Sequence, residues 1–365
     1  MEIDSIQLST EEGMHVAIIA NKAYKINSIF YKVLCIWKSG MSLEDTIKQV
    51  STETGIDYNV LLNKFTTFIK KTQKSKAKSY IRLKHVVIKE RLVNTIANSL
   101  TFFYSKYVFM TLLFSCLAIN IAYLCINYKQ LDCMPRPTFE ISIAIFIGYL
   151  LSLIIHEIGH AAATVSIGKR AKEIGFGFYM MFPVFYTDVT SVWNMGKKER
   201  ILVNIGGVYF QLIINTIVII LLSLFSQNTW IIALNSLVIS NAIVVFMSIT
   251  PFFRNDGYWI LSDYWNIPNL LKKSDKALLH IFDHPQYNST KEQNKIILFG
   301  LANNIFRLYV LACLSLKLKN NLTAIIEHTY QSRIPNILIS STFSLIGLFF
   351  ILGYYYKMLG YGNQN

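Results

Sequence analysis

Phe139-Glu-Ile-Ser-Ile-Ala-Ile-Phe-Ile-Gly-Tyr-Leu-Leu-Ser-Leu-Ile-Ile-His156-Glu157-Ile158-Gly159-His160-Ala-Ala-Ala-Thr-Val165 is one apolar run, and Glu140 is its only acidic or basic residue before His156. A helix needs about 20 such residues to cross a bilayer core, so this stretch predicts a membrane span. Within it, His156 and His160 are four residues apart and share one helix face, where both imidazoles can meet one metal ion. Zinc takes neutral imidazole nitrogens, and a catalytic zinc keeps three protein ligands plus an open position. Glu157, beside the first histidine, is placed to take a proton from water at that position. Glu140 marks the outer end of the span, and His156 follows about 24 Å further along at helical rise, within the inner leaflet. Ionisable groups at that depth are costly and point to a functional site. The plainer alternative is a helix end whose polar side chains reach a wet crevice.

Outward from this run, the composition agrees with a membrane protein. The 365-residue chain is 53% hydrophobic and 15% charged, against about 25% charged in a soluble domain. Mean hydropathy is +0.39. The apolar residues cluster into six candidate spans, approximately 106–127, 139–165, 201–226, 230–253, 295–316 and 336–357. Lys169, Arg170, Lys172, Lys197, Lys198, Arg200, Lys272 and Lys273 then fall on the cytoplasmic side, as the charge rule for loops requires. Lys317, Lys319 and Arg333 fit that rule less well. The net charge of +14 is concentrated between Lys64 and Arg91, just before the first span. That placement favours membrane orientation and contact with anionic lipid over nucleic-acid binding. Five cysteines without framework spacing exclude a disulfide scaffold. The polar, acidic start, Met1–Thr10, lacks signal-peptide character and predicts a cytoplasmic N-terminus.

Residues 1–84 read as a small α/β domain. His15–Ala20 and Ala23–Ile26 predict a hairpin. Asn27, Ser42 with Asp45, and Asp57 are placed to cap three short helices, a winged-helix-like arrangement. Residues 85–105 read as a basic juxtamembrane linker, 106–357 as the transmembrane domain and 358–365 as a tail. Between the second and third spans, Ile174–Val192 is too short and too broken by Gly and Pro to cross. A membrane-dipping hairpin shielded by protein is expected there.

A third ligand is needed. Asp256, in Pro251-Phe-Phe-Arg-Asn-Asp256-Gly257, closes a span that runs in the same direction as the second, so it arrives at a similar depth. Gly257 gives the backbone freedom to turn the carboxylate inward, although Asn-Asp-Gly is also ordinary turn chemistry. His280 and His284, also four apart, sit beside Pro285 in polar surroundings.

These motifs together resemble the site-2 protease family of intramembrane zinc metalloproteases. Pro183-Val-Phe-Tyr186-Thr-Asp188-Val-Thr, Gly196-Lys-Lys-Glu-Arg200, Gly206-Gly207 and Asp256-Gly-Tyr-Trp-Ile-Leu-Ser-Asp263-Tyr-Trp-Asn-Ile-Pro268-Asn-Leu270 resemble its peptide zinc metalloprotease branch over roughly residues 139–275. The resemblance implies His156, His160 and Asp256 as zinc ligands and Glu157 as catalytic. The chain departs from the pattern at Ser248, where an Asn often stands three residues before the proline. The hairpin, Lys25-Ile26-Asn27, the Trp37 helix and Ser42-Leu-Glu-Asp45 resemble the PqqD-like peptide-recognition element, which implies capture of an extended leader peptide along a sheet edge. The expectation is a zinc endopeptidase of the bacterial cytoplasmic membrane, its active site on the cytoplasmic side. It would process a peptide precursor or leader peptide, with an exporter or peptide-modifying enzyme as a further partner. The rival expectation is a non-catalytic membrane scaffold that binds a leader peptide.

Overall fold

The structure is a computed structural model that describes residues 6–11, 14–19, 22–74, 81–132, 137–179, 182–224, 230–283, 290–326 and most of 341–355. The chain divides into two units, Met1–Tyr264 and Trp265–Asn365.

The first unit opens with three antiparallel strands in sequential order: β1 (Gln7–Glu11), β2 (Met14–Ile19) and β3 (Lys22–Ile26). The hairpin expected around residues 15–26 is β2–β3. β1, which pairs with β2 from Gln7↔Ile18 to Glu11↔Met14, adds a strand that the sequence did not suggest. Helices α1 (Ser28–Lys38), α2 (Leu43–Thr54) and α3 (Tyr58–Lys74) follow. Each begins where its cap is placed. Asn27 Oδ1 accepts from the Phe30 amide at 2.8 Å, Ser42 Oγ from the Asp45 amide at 3.1 Å and Asp57 Oδ1 from the Val60 amide at 3.1 Å. Gly55 closes α2 at φ 69°, a left-handed position that favours glycine. Val33, Leu34, Ile47, Val50, Leu61 and Phe65 bury a core of their own against the sheet.

Residues 85–105 are more than a linker. Ile81–Lys89 forms β4 and Glu90–Ser99 forms α4, before a 3-10 turn at Thr101–Tyr104. β4 is an edge strand of a second antiparallel sheet, order β4-β5-β6, completed by β5 (Glu173–Tyr179) and β6 (Phe182–Thr187). The hairpin expected within 174–192 is β5–β6. The far partner of β5 lies about ninety residues earlier in the chain, Lys89 opposite Glu173.

Among the described residues, five helices are long and apolar enough to cross a membrane: Lys106–Lys129, Phe139–Ser166, Lys197–Leu224, Trp230–Ile249 and Lys291–Thr323. The first belongs to α5 (Lys106–Asp132); the next three are α6, α7 and α8. Of the sixth expected span, 336–357, residues 341–342, 344–345, 347–349 and 351–355 are described, as helix, and the rest lies outside the described residues. In the second unit, α10 (Leu270–Asp283) packs on α11 (Lys291–Ile326), which contains the fifth such helix. Between α8 and α10 a short helix, α9 (Asp256–Trp265), follows a sharp turn.

α7 is the centre of the first unit. Within its apolar window 56% of residues are buried, against 11–22% in the other four helices. Outer faces, such as Phe146, Ile147 and Leu151 of α6, stay exposed, as lipid-facing side chains do. Buried carboxamides join the helices: Asn120 Nδ2 donates to Thr216 Oγ1 at 2.9 Å, Gln211 Nε2 to Asn241 Oδ1 at 2.7 Å, and Tyr123 OH to Asn235 Oδ1 at 2.6 Å. Such bonds hold helices together where lipid removes the hydrophobic drive.

α6 and α7 touch backbone to backbone. A Cβ on Gly159 would lie 2.3 Å from the Gly206 carbonyl oxygen, so only glycine permits this approach. Tyr104 OH donates to the Gly159 carbonyl at 2.7 Å from the preceding turn. Gly159→Ala is expected to force the helices apart at a cost of about 1–3 kcal/mol, read as a lower thermal midpoint in detergent; an unchanged midpoint would refute the contact.

Candidate metal centre and cleft

His156 and His160 project from the C-terminal half of α6, both buried. Asp256 is the first residue of α9 and reaches them from beyond α8. Thr250–Asn255 reverses the chain there, and Asn255 Nδ2 donates to the Met247 carbonyl at 2.9 Å. Gly257 closes the elbow: its Cβ would lie 1.8 Å from the Ile249 carbonyl oxygen. The local reason for Asn-Asp-Gly is thus a close backbone approach that swings the carboxylate toward α6.

Three side chains, His156, His160 and Asp256, converge in a triangle. His156 Nε2 lies 3.1 Å from Asp256 Oδ2, His160 Nε2 3.4 Å from Asp256 Oδ1, and the two Nε2 atoms are 3.3 Å apart. Four ligands arranged tetrahedrally at about 2.05 Å from zinc are separated by roughly 3.3 Å. The three separations, with the two to Asp256 made to different carboxylate oxygens, therefore match the ligand spacing around a tetrahedral zinc. The imidazole of His160 is also held in the right form. Its Nδ1–H donates to the Val203 carbonyl at 2.8 Å. A carbonyl only accepts, so the proton sits on Nδ1 and the Nε2 lone pair points at the centre. His156 Nδ1 is buried without a partner among the described residues, so that ring is held by packing and by its Nε2 contact to Asp256 rather than by a bond at Nδ1. Burial by itself would raise the Asp256 carboxyl, but the facing His160 and His156 rings hold it well below the ordinary carboxylate range. The donor set fits zinc.

Glu157 stands beside this triangle, its carboxylate within 4.8 Å of both histidine ligand atoms. Asp256 also faces both rings, in contacts of 3.1 and 3.4 Å. Thr187, at the end of β6, places its Oγ1 2.7 Å from Glu157 Oε2 and 2.9 Å from the Glu157 carbonyl. The hydroxyl proton is donated to one of these at a time and fixes the carboxylate in front of the metal position. Gly207 of α7 forms the roof: a Cβ there would sit 2.4 Å from both Nε2 atoms.

A cleft of about 550 Å³ contains all four side chains, within the range of ligand sites. β6 lines it with Pro183, Val184, Phe185 and Tyr186, and α8 with Ile243, Val244, Met247 and Ser248. Trp193 and Trp259 meet edge to face at 5.5 Å at its wall. Further along, Arg200 Nε donates to Asp263 Oδ1 at 2.8 Å and Asn204 Nδ2 to Asp263 Oδ2 at 3.2 Å. Burial pushes the Asp263 carboxyl above its ordinary value against the opposing pull of Arg200.

All four residues singled out from the sequence meet here. Thr187, Val203 and Gly207 were not assigned roles beforehand. Gly206-Gly207 was visible as a motif, but its proximity to the histidines depends on the α6–α7 crossing. His280 lies in α10 of the second unit and His284 outside the described residues.

No family model matches the chain, and no solved structure matches it. Over 127 residues it is 31% identical to the protein named "Putative peptide zinc metalloprotease protein YydH" of Bacillus subtilis (strain 168), covering 33% of this chain and 46% of that protein. The chain thus spans less than half the length of that curated relative, and the likeness is to a zinc-metalloprotease-like protein in general terms.

Proposed function

We propose that the chain is a membrane-embedded zinc endopeptidase of the site-2 type that cleaves a peptide precursor or leader peptide. The observation that carries this reading is the 3.1–3.4 Å triangle of His156, His160 and Asp256 with an ordered glutamate beside it. The named relative supports it.

When bound at this triangle, zinc supplies Lewis acidity toward the scissile carbonyl and acidifies water. Glu157 takes a proton from the attacking water as its oxygen bonds to the carbonyl carbon, then passes that proton to the leaving nitrogen as the C–N bond breaks. The products are a carboxylate and an amine. Thr187 keeps the Glu157 carboxylate aimed during both transfers. The free edge of β6 offers backbone groups to an extended peptide, while Trp193, Trp259, Val244 and Met247 accept its apolar side chains.

The N-terminal sheet and helices would recognise the leader, in the manner of a PqqD-like element. The basic stretch before α5 would hold the N-terminus and the cleft on the cytoplasmic face of a bacterial membrane. An exporter or peptide-modifying enzyme would then receive the product.

The test is cleavage of a precursor peptide by purified full-length protein before and after chelation. Cleavage lost on metal removal and restored by stoichiometric zinc is expected. A peptide that binds but is never cut, with zinc present, would leave a non-catalytic leader-binding scaffold instead.

A further inference from the structure

Asp263 lies seven residues after Asp256, two turns along α9, so both carboxylates point from one face of that helix. Asp256 reaches the histidines of α6, whereas Asp263 reaches the first turns of α7. There it grips two residues, Arg200 at 2.8 Å and Asn204 at 3.2 Å. These flank Val203, whose carbonyl holds His160 Nδ1 at 2.8 Å. Arg200 Nη1 donates in addition to the Met195 carbonyl at 2.6 Å, which ties the same guanidinium to the end of the 3-10 turn Thr190–Asn194 carrying Trp193. The ion pair is largely withdrawn from water, with side chains 14% and 15% exposed.

We propose that Asp263, Arg200 and Asn204 are positioning residues for the metal centre, a clamp that sets the distance between Asp256 and His160. This rests on the zinc reading above. The argument is geometric. Two of the three donors are carried or held by different helices, Asp256 by α9 and His160 through Val203 of α7. The Asp263 carboxylate bonds α9 directly to α7 beside the site. A planar guanidinium holding a carboxylate at fixed angle gives a stiffer link than apolar packing, and Asp256 sits at a helix start after a reversing turn, where the backbone has the least support of its own. Without the clamp, α9 can slide or rotate on α7, and a shift of a few tenths of an ångström opens the triangle.

The probe is cobalt(II), whose visible absorption bands report coordination geometry, added to the metal-stripped full-length protein in detergent. Affinity is measured by competition with a chelator. Asp263→Asn and Arg200→Gln are each expected to weaken cobalt binding about 10-fold or more, the range for residues that support metal ligands, and to change the band pattern. The double variant is expected to be no weaker than the worse single one, because both break one link. Asn204→Ala, which removes only the longer arm, is expected to change affinity in the same direction by less, and serves if the charge variants fold poorly. A purely structural role would lower the thermal midpoint of the stripped protein but leave affinity and bands of the folded protein at wild-type values. Affinities within twofold of wild type and unchanged bands in all variants would overturn the clamp while leaving the zinc reading intact. A wild type that binds no cobalt would overturn both.

Discussion

Glu157→Gln will lower peptide cleavage by about 10³-fold, within the span that a positioned general base contributes, while each chain keeps its metal. The amide has the shape of the carboxylate, and its oxygen can still accept from Thr187 Oγ1, which lies 2.7 Å from Glu157 Oε2. The three donors of the triangle are untouched. Only the capacity to take up and return a proton is lost. Metal content by elemental analysis, alongside a timed cleavage assay, separates the two effects. Loss of metal in this variant would make Glu157 a ligand, and wild-type cleavage would remove it from the mechanism.

Gly207→Ala will abolish high-affinity metal binding, with a loss of about 100-fold or more, the upper range for changes that misplace ligands. The added methyl would sit 2.4 Å from the Nε2 atoms of both His156 and His160. Both rings are buried, and His160 is pinned at Nδ1 by Val203, so neither can step aside while keeping its lone pair on the centre. The helices already touch here, with Gly159 against Gly206, the neighbour of Gly207, so the methyl has no space to enter without parting them. Cleavage should fall in proportion to metal occupancy and recover in part at high zinc. An alanine variant with normal zinc affinity would mean that α6 and α7 cross at a different height.

Much of this was legible in the sequence because it is local or strongly periodic. The caps at Asn27, Ser42 and Asp57 sit where short polar side chains precede apolar stripes, and helix initiation follows that chemistry directly. His156, Glu157 and His160 are a four-residue pattern on an apolar span. Asp256 could be placed because two parallel spans bring their inner ends to one depth. What stayed hidden depends on contacts far apart in sequence. β4 reads as a basic stretch because it is a charged sheet edge, with Arg82, Lys84 and His85 exposed, and its partner Glu173–Tyr179 comes some ninety residues later. The bulges between Arg82 and His85 and between Val86 and Ile88 also break the alternation that marks a strand. Val203 acts through a backbone carbonyl, which no side-chain pattern reveals. Thr187 is one hydroxyl among many until the hairpin sets it against Glu157.

The elbow between α8 and α9 has a consequence for the life of the nascent chain. Two donors emerge together in α6, but the third comes a hundred residues later, after α7 and α8 have been made and packed. Until that point the growing polypeptide holds two histidines and no closed triangle, so on the zinc reading its metal site is incomplete. Under the proposed function, the order of residues along the chain is a time lock: the metal site would be complete, and peptide hydrolysis possible, only once α8 has been made and its elbow has turned Asp256 toward α6.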